Sequence, residues 1–405
     1  MKKPPLLSGH SPGISRRPLT ALLRVGVAGR SAQSPTSCPS SHCRHVGFRF
    51  FANRLRTLSL ATLLGLGGVG LGADSPARLN TQFQPGLPWP DAQGAHLNAH
   101  GFCVLDFGGR HYWYGAHKIA GKTEAEKNEA GVRCYVSDDL LNWQDAGLVL
   151  DVFAPNAHSE LSEAAILDRP KVIYHAASKK FILYFKLYPP KSQGGKSGVD
   201  FAYVGVATAT QPTGPFVYHG RFQGGGSQFG TGDFAIFPDV DGSIYHLGVR
   251  KPDKAFVCGR LSEDGLQPVG DYVELAGITR ATEAPALFRR GTKIYLLASG
   301  SSGWAPNAAR LFVADQVTGP YQDIGNPCRG INPHNNLGPE KTFGGQSTFV
   351  YPVAGRRDAW IAMFDLNQPQ DPITSGYVWL PIEFEGDRPI ISWRDRWDLS
   401  VFPTK

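Results

Sequence analysis

One plan recurs five times along this chain. A polar residue is followed by a short apolar strand, a turn of Gly, Asp, Ser or basic residues, and a second strand rich in aromatic and β-branched side chains. The copies run from His100 to Ala116, Asp168 to Phe185, Asp233 to Val249, Glu283 to Ser299 and Gln346 to Phe364. Each reads as a β-hairpin. The leading residues stand 68, 65, 50 and 63 positions apart, which leaves room for two more strands per unit. Several of these are visible, as in residues 132–137, 203–209, 255–261, 310–315 and 377–384. The phrase Pro-Thr-Gly-Pro-Phe (212–216) also returns as Val-Thr-Gly-Pro-Tyr (317–321), at the same place in two units. Five four-stranded units predict an all-β chain folded as a five-bladed β-propeller. Helical periodicity is confined to an insertion at Lys122 to Glu129.

Composition agrees with a folded, turn-rich body: 41% of the 405 residues are hydrophobic and 19% charged, with 48 Gly and 31 Pro. Disorder would need more charge, and collagen a glycine at every third position. The net charge of +7 is uneven. Ten of the 41 Lys and Arg fall within residues 1–73, where there is no Asp or Glu, leaving 31 basic against 34 acidic residues in the remainder. A body of that balance has no electrostatic footprint for nucleic acid.

The basic leader ends at Arg56 and gives way to an apolar run of 16 residues, Leu58 to Ala73, five of them Gly. This reads as a secretory signal, cleaved near Ala73 or Ala77, and is short for a membrane span of about 20 residues. A retained membrane anchor is the other reading. The Ser/Pro/Arg stretch ahead of the run is long for a signal peptide, and a misassigned upstream start is one explanation. Residues 74–99 then form an extension into blade one, and 100–405 the propeller. The expected location is secreted or periplasmic, with no stable membrane span in the mature chain. Export permits a disulfide, for which Cys103 and Cys134 are the natural pair; buried free thiols are the alternative.

Blades pack radially, so His100, Asp168, Asp233, Glu283 and Gln346, each opening an innermost strand, would ring one end of the central channel. Core packing alone would favour apolar or small residues there. Such a ring either satisfies backbone groups around a water-filled channel or serves metal binding, acid/base chemistry, or both. Glycoside hydrolysis fits the second reading, since one carboxylic acid must stay protonated beside other charge. Glu283 suits the acid, with Asp233 raising its pKa from the adjacent blade. Trp304, after a Ser/Gly run, is a candidate platform for a sugar ring, or else a packing tryptophan.

The residues also resemble glycoside hydrolase family 43, and within it the exo-β-1,3-galactanase branch. The resemblance rests on Asn98-Ala99-His100-Gly101, Tyr112 to Gly115 with His117-Lys118, Asp138 to Trp143, Arg169 to Val172, Glu283-Ala284-Pro285, Ser299 to Asn307, Phe343 to Ser347, Tyr377 to Pro381 and Trp397 to Ser400. It implies an exported inverting exo-hydrolase of β-linked galactose, with a polysaccharide or oligosaccharide as its partner. Glu283 would be the acid, Asp233 its tuner, and Gln346 the group that activates water, as an imidic acid. Asp168, His100, Ser302, Trp304 and Asn307 would contact substrate. No cofactor or metal is expected; the fold can hold a channel calcium, but no EF-hand-like run of ligands is present. An ordinary amide is a very poor base, so chemistry alone nominates His100 or Asp168 for Gln346's role. Two positions depart from the pattern, with Asp168 and Ala116 each standing where the branch has Glu. A carbohydrate-binding propeller without activity, or a family 43 hydrolase of another sugar, are the alternatives.

Overall fold

The computed structural model describes residues 79–164, 166–190, 201–303 and 305–404. The chain divides into two units, Met1–Leu71 and Gly72–Lys405, and the second carries all the described residues. The basic leader with its apolar run, residues 191–200 and Trp304 lie outside the described residues.

Five antiparallel meanders form the blades. Blade one is β1 (His100–Phe107), β2 (Arg110–Lys118), β3 (Glu129–Ser137) and β4 (Gln144–Asp151). A single turn of helix, α1 (Ser159–Ser162), precedes blade two: β5 (Ile166–His175), β6 (Lys180–Tyr188), β7 (Tyr203–Ala209) and β8 (Val217–Phe222). Blade three is β9 (Thr231–Pro238), β10 (Ile244–Arg250), β11 (Phe256–Leu261) and β12 (Pro268–Glu274). Blade four comprises β13 (Thr282–Arg290), β14 (Lys293–Gly300), β15 (Arg310–Ala314) and β16 (Gln322–Gly325). A two-residue strand, β17 (Cys328–Arg329), then lies parallel against the outer edge of blade five. That blade is β18 (Gln346–Pro352), β19 (Trp360–Leu366), β20 (Gly376–Glu385) and β21 (Arg388–Ser392). The repeated Thr-Gly-Pro phrase forms equivalent turns, after which Phe216 N–H bonds Val149 O and Tyr321 N–H bonds Ala276 O, both at 2.8 Å. Each turn thereby fastens one blade to the outer part of the blade before it.

Apolar side chains fill the five gaps between neighbouring sheets, and the gap between blades five and one is the most aromatic. There Trp113 lies 4.6 Å from Trp379 between ring centroids, with Phe102, Trp143 and Tyr377 around them. The extension strengthens this closure. Phe83 exchanges backbone hydrogen bonds with Trp397, at 2.7 and 3.2 Å, and its ring stacks on the indole at 4.2 Å. The first and last parts of the propeller are thus tied by pairing as well as by packing.

One expectation changes, and the choice left open for the cysteines is decided. Residues 122–128 form turns and irregular chain rather than a helix, and Glu129 opens β3, with Glu126 accepting the Thr123 N–H at 3.0 Å. The four body cysteines are free buried thiols. Cys103 and Cys134 both stand in register with Tyr114, on opposite sides of β2. Two inter-strand spacings separate their backbones by roughly 9 to 10 Å, beyond a disulfide's reach of about 7 Å.

What aims the site is a bulge repeated at the channel end of every inner strand. Pairing slips between His100 and Cys103, Asp168 and Lys171, Glu283 and Ala286, and Ser347 and Phe349, and in β9 between Thr231 and Phe234. Such a bulge bends the strand and redirects its side chains. In three blades the residue after the head is left-handed: Gly101 (φ 62°), Arg169 (φ 55°) and Ala284 (φ 55°). Gly101 also allows close approach, since a Cβ there would sit 2.6 Å from Asp168 Oδ1. At Arg169 and Ala284 the strain costs of order 1–3 kcal/mol, held by the surrounding fold.

Phe83 is almost fully buried. Phe83→Ala should therefore destabilise the propeller by about 3 kcal/mol or more, measured as a lower urea midpoint with little change in slope.

Candidate active site

The five heads do meet at one end of the channel, around two adjoining cavities. The larger, about 420 Å3, is lined by Asp168, Arg169, Lys186, Asp233, Glu283, Ser301 and Gln346 among others. The smaller, about 60 Å3, is lined by His100, Lys118, Glu124, Asp365, Asn367 and Asn307 among others. Asp168, Arg169, Gly303 and Gln346 line both and form the waist between them.

Two buried cations organise the waist. Lys186 Nζ, from β6, lies 2.8 Å from Asp233 Oδ1 and 3.2 Å from Asp168 Oδ2. Arg169, next to Asp168 on β5, reaches Asp233 Oδ2 at 3.1 Å and bonds both Gln346 Oε1 and, at 3.2 Å, Ser347 O. Two carboxylates therefore balance two cations. Burial by itself would raise the Asp233 carboxyl, but Arg169 and Lys186 outweigh it and hold it below its ordinary value. Asp168 is likewise pushed up by burial and more strongly down by Lys186, Lys118 and Arg169, so it stays ionised. An ionised carboxylate at the waist is an acceptor for sugar hydroxyls.

Glu283 is the carboxylate left without a cation of its own. Burial is the main cause of its raised pKa, and the charge of Asp233 adds to it; a Ser301 hydrogen bond, Arg169 and Lys186 only partly oppose them. A carboxyl kept protonated beside ionised neighbours is what proton donation to a leaving oxygen requires. Gln346 touches this acid directly: its Nε2 donates to Glu283 Oε1 and to Ser299 Oγ, each at 3.0 Å.

His100 stands in the smaller cavity, its ring parallel to Tyr377 at 5.4 Å and its Nδ1 3.8 Å from Asp365 Oδ1. Of the loop residues expected to meet substrate, Asn307 lines the smaller cavity, but its amide braces its own loop through Gly300 N and O and the Ser302 hydroxyl. Ser302 in turn donates to Ala305 O at 2.6 Å. Both therefore shape the loop, and Trp304 lies outside the described residues. Ala116 is fully buried in β2 and presents no polar group.

Sequence reasoning missed Arg169, Lys186, Ser299, Ser301 and Asp365. Arg169 could have been found as the neighbour of a head residue; the other four sit on or beyond second strands, where nothing in the repeat marks them. Among the described residues no three His, Cys, Asp or Glu side chains gather as a metal site would need.

Fold and site define a propeller of the glycosidase class. Residues 103–370 match the model of glycosyl hydrolases family 43, and the chain belongs to that family. It is similar to a GH43 β-1,3-galactosidase structure at 30% identity, over 80% of this chain and 64% of that one, with a TM-score of 0.69. A second GH43 β-1,3-galactosidase, solved with galactodeoxynojirimycin, is 29% identical over 78% of this chain and all of its own, again with a TM-score of 0.69. The exo-β-1,3-galactanase of Phanerochaete chrysosporium, solved with β-1,3-galactotriose, is 26% identical over 80% of this chain and 70% of its own, with a TM-score of 0.67. Comparison with curated proteins gives no match.

Replacing Asp233 by Asn should lower the Glu283 pKa. It removes a like charge and leaves Arg169 and Lys186 to act on Glu283, so both effects have one sign. A carbon-13 titration of the Glu283 carboxyl, assigned by its loss in Glu283→Gln, checks this; an unchanged midpoint would rule out charge coupling between the two.

Proposed function

We propose that the protein is an exported exo-acting glycoside hydrolase that releases β-linked galactose from β-1,3-galactan-like polysaccharide with inversion of anomeric configuration. The observation that carries this reading is Glu283, without a cation of its own and with its pKa raised by burial and Asp233, set against a charge-balanced Asp168, Asp233, Arg169 and Lys186 cluster. Glu283 gives its proton to the departing glycosidic oxygen, and Asp233 keeps that proton in place until substrate arrives. Asp168 and the waist hold the terminal sugar, while Gln346 fixes the orientation of the acid. The relatives named for β-1,3-galactosidase and exo-β-1,3-galactanase activity support the choice of sugar. The apolar run at Leu58 to Ala73 after a basic leader supports export.

Glu283→Gln should cut turnover of β-1,3-galactobiose by two orders of magnitude or more while sparing binding. A substrate with an activated leaving group needs less protonation and should lose far less; equal losses on both would restrict Glu283 to positioning. Proton NMR of early product from β-1,3-galactan should show α-galactose first, and β-galactose first would mean retention. A panel of galactans, arabinans and xylans fixes the sugar. Binding without turnover on every member would favour a carbohydrate-binding propeller.

A further inference from the structure

The acid locates the two parts of a bound glycan. Glu283 lines the larger cavity and not the smaller, so a chain whose terminal sugar sits at the waist runs its leaving unit through the larger cavity. Among the described residues, five cationic side chains line that cavity against three carboxylates. At the waist Arg169 and Lys186 are matched by Asp168 and Asp233. The other three cations, Arg250, Lys251 and Lys254, share the remaining wall with Tyr188.

Arg250 is neutralised on its own side. It pairs with Asp253 at 2.6 Å and Glu274 at 3.1 Å, and Arg280 pairs with the same two carboxylates at 3.1 and 2.9 Å. Two cations and two anions thus close a network that gives Lys254 no carboxylate, although Asp253 is its neighbour in sequence. The turn carrying both lysines is fixed at each end. Lys251 N–H donates to Gly230 O at 2.9 Å, and Lys251 O accepts the Ser227 hydroxyl at 2.8 Å. Lys254, left-handed at φ 58°, donates its N–H to Arg250 O and accepts the Ala281 N–H, each at 3.0 Å. Ala281 lies two residues before the acid, so the turn is tied to the strand that carries Glu283. Lys251 Nζ stands 4.5 Å from the centre of the Tyr188 ring, whose π-face attracts the ammonium and holds it at the cavity wall.

We propose that Lys254 and Lys251 form a subsite for an anionic group, a carboxylate or a sulfate ester, on the leaving unit of the substrate, so that the preferred galactan is an acidic one. The assignment rests on the hydrolase reading, because the acid is what places the leaving unit. A cleft wall of one charge sign concentrates ligands of the other, and a neutral galactosyl leaving unit gives these ammonium groups only hydroxyls. The lysines act on the choice of substrate and take no part in bond breaking.

The test compares kcat/KM for β-1,3-galactobiose with that for two analogues whose leaving unit carries an anion, one a 6-carboxylate and one a 6-sulfate. At about 0.01 M salt, wild type should prefer an anionic analogue by about fivefold or more; at about 1 M salt, where screening acts within about 3 Å, the preference should fall below about twofold. A preference for one analogue alone names the group as uronate or sulfate ester. Lys254→Glu should bring the low-salt ratio below one, Lys251→Gln with Lys254→Gln should bring it near one, and Lys254→Arg should keep it. Neutral galactobiose measured on each variant corrects for any loss of folded enzyme. Equal rates on neutral and anionic substrates in wild type overturn this proposal and leave the hydrolase reading standing, as does a preference that Lys254→Glu does not reduce. Wild type inert on all three overturns the hydrolase reading; calorimetry with the same three sugars then decides the anion subsite, and equal affinities overturn it.

Discussion

Two buried cations hold the site together. Arg169 and Lys186 come from one blade, yet between them they bind Asp233 of the third blade and the Gln346 side chain and Ser347 carbonyl of the fifth. Removing Lys186 would leave Asp168 buried without its ion-pair partner, a change that costs several kcal/mol in comparable pairs. The cluster is poor evidence for overall stability, since apolar packing of the same volume can do as well. What it does is fix polar side chains from separate blades in one frame.

The same balance produces the chemistry. Asp168 and Asp233 are satisfied as anions, so the next carboxylate in the ring is pushed the other way by burial and by Asp233. Acid and acceptors differ in surroundings and not in residue chemistry. Family membership rests on the match over residues 103–370, and the balance of charge explains why Glu283, among the three carboxylate heads, is the one whose pKa is raised.

Rigidity for this arrangement comes from outside the ring. Aromatic packing between blades one and five, and the Phe83 to Trp397 pairing, close the circle so that inner strands cannot spread. Within that closed circle the bulges can hold Arg169 and Ala284 in left-handed conformations that an isolated strand would relax.

The sequence by itself determined the blades and the ring. A polar head before each hairpin is a local pattern, repeated at intervals that only a closed array of meanders accommodates, and so the five heads were legible as neighbours. Glu283 and Asp233 could be paired because adjacent blades carry them. Tertiary structure alone decided the rest. Lys186, Ser299 and Asp365 lie on second strands at positions unmarked by any repeat, and they enter the site through the bulges and the approach of blades distant in sequence. Cys103 and Cys134 look like neighbours along the chain, yet a whole strand separates them. Gln346 matched a motif, but which groups its amide would engage depended on where Arg169, Ser299 and Glu283 ended up. Such contacts are set by three-dimensional distance between blades, which local sequence does not encode.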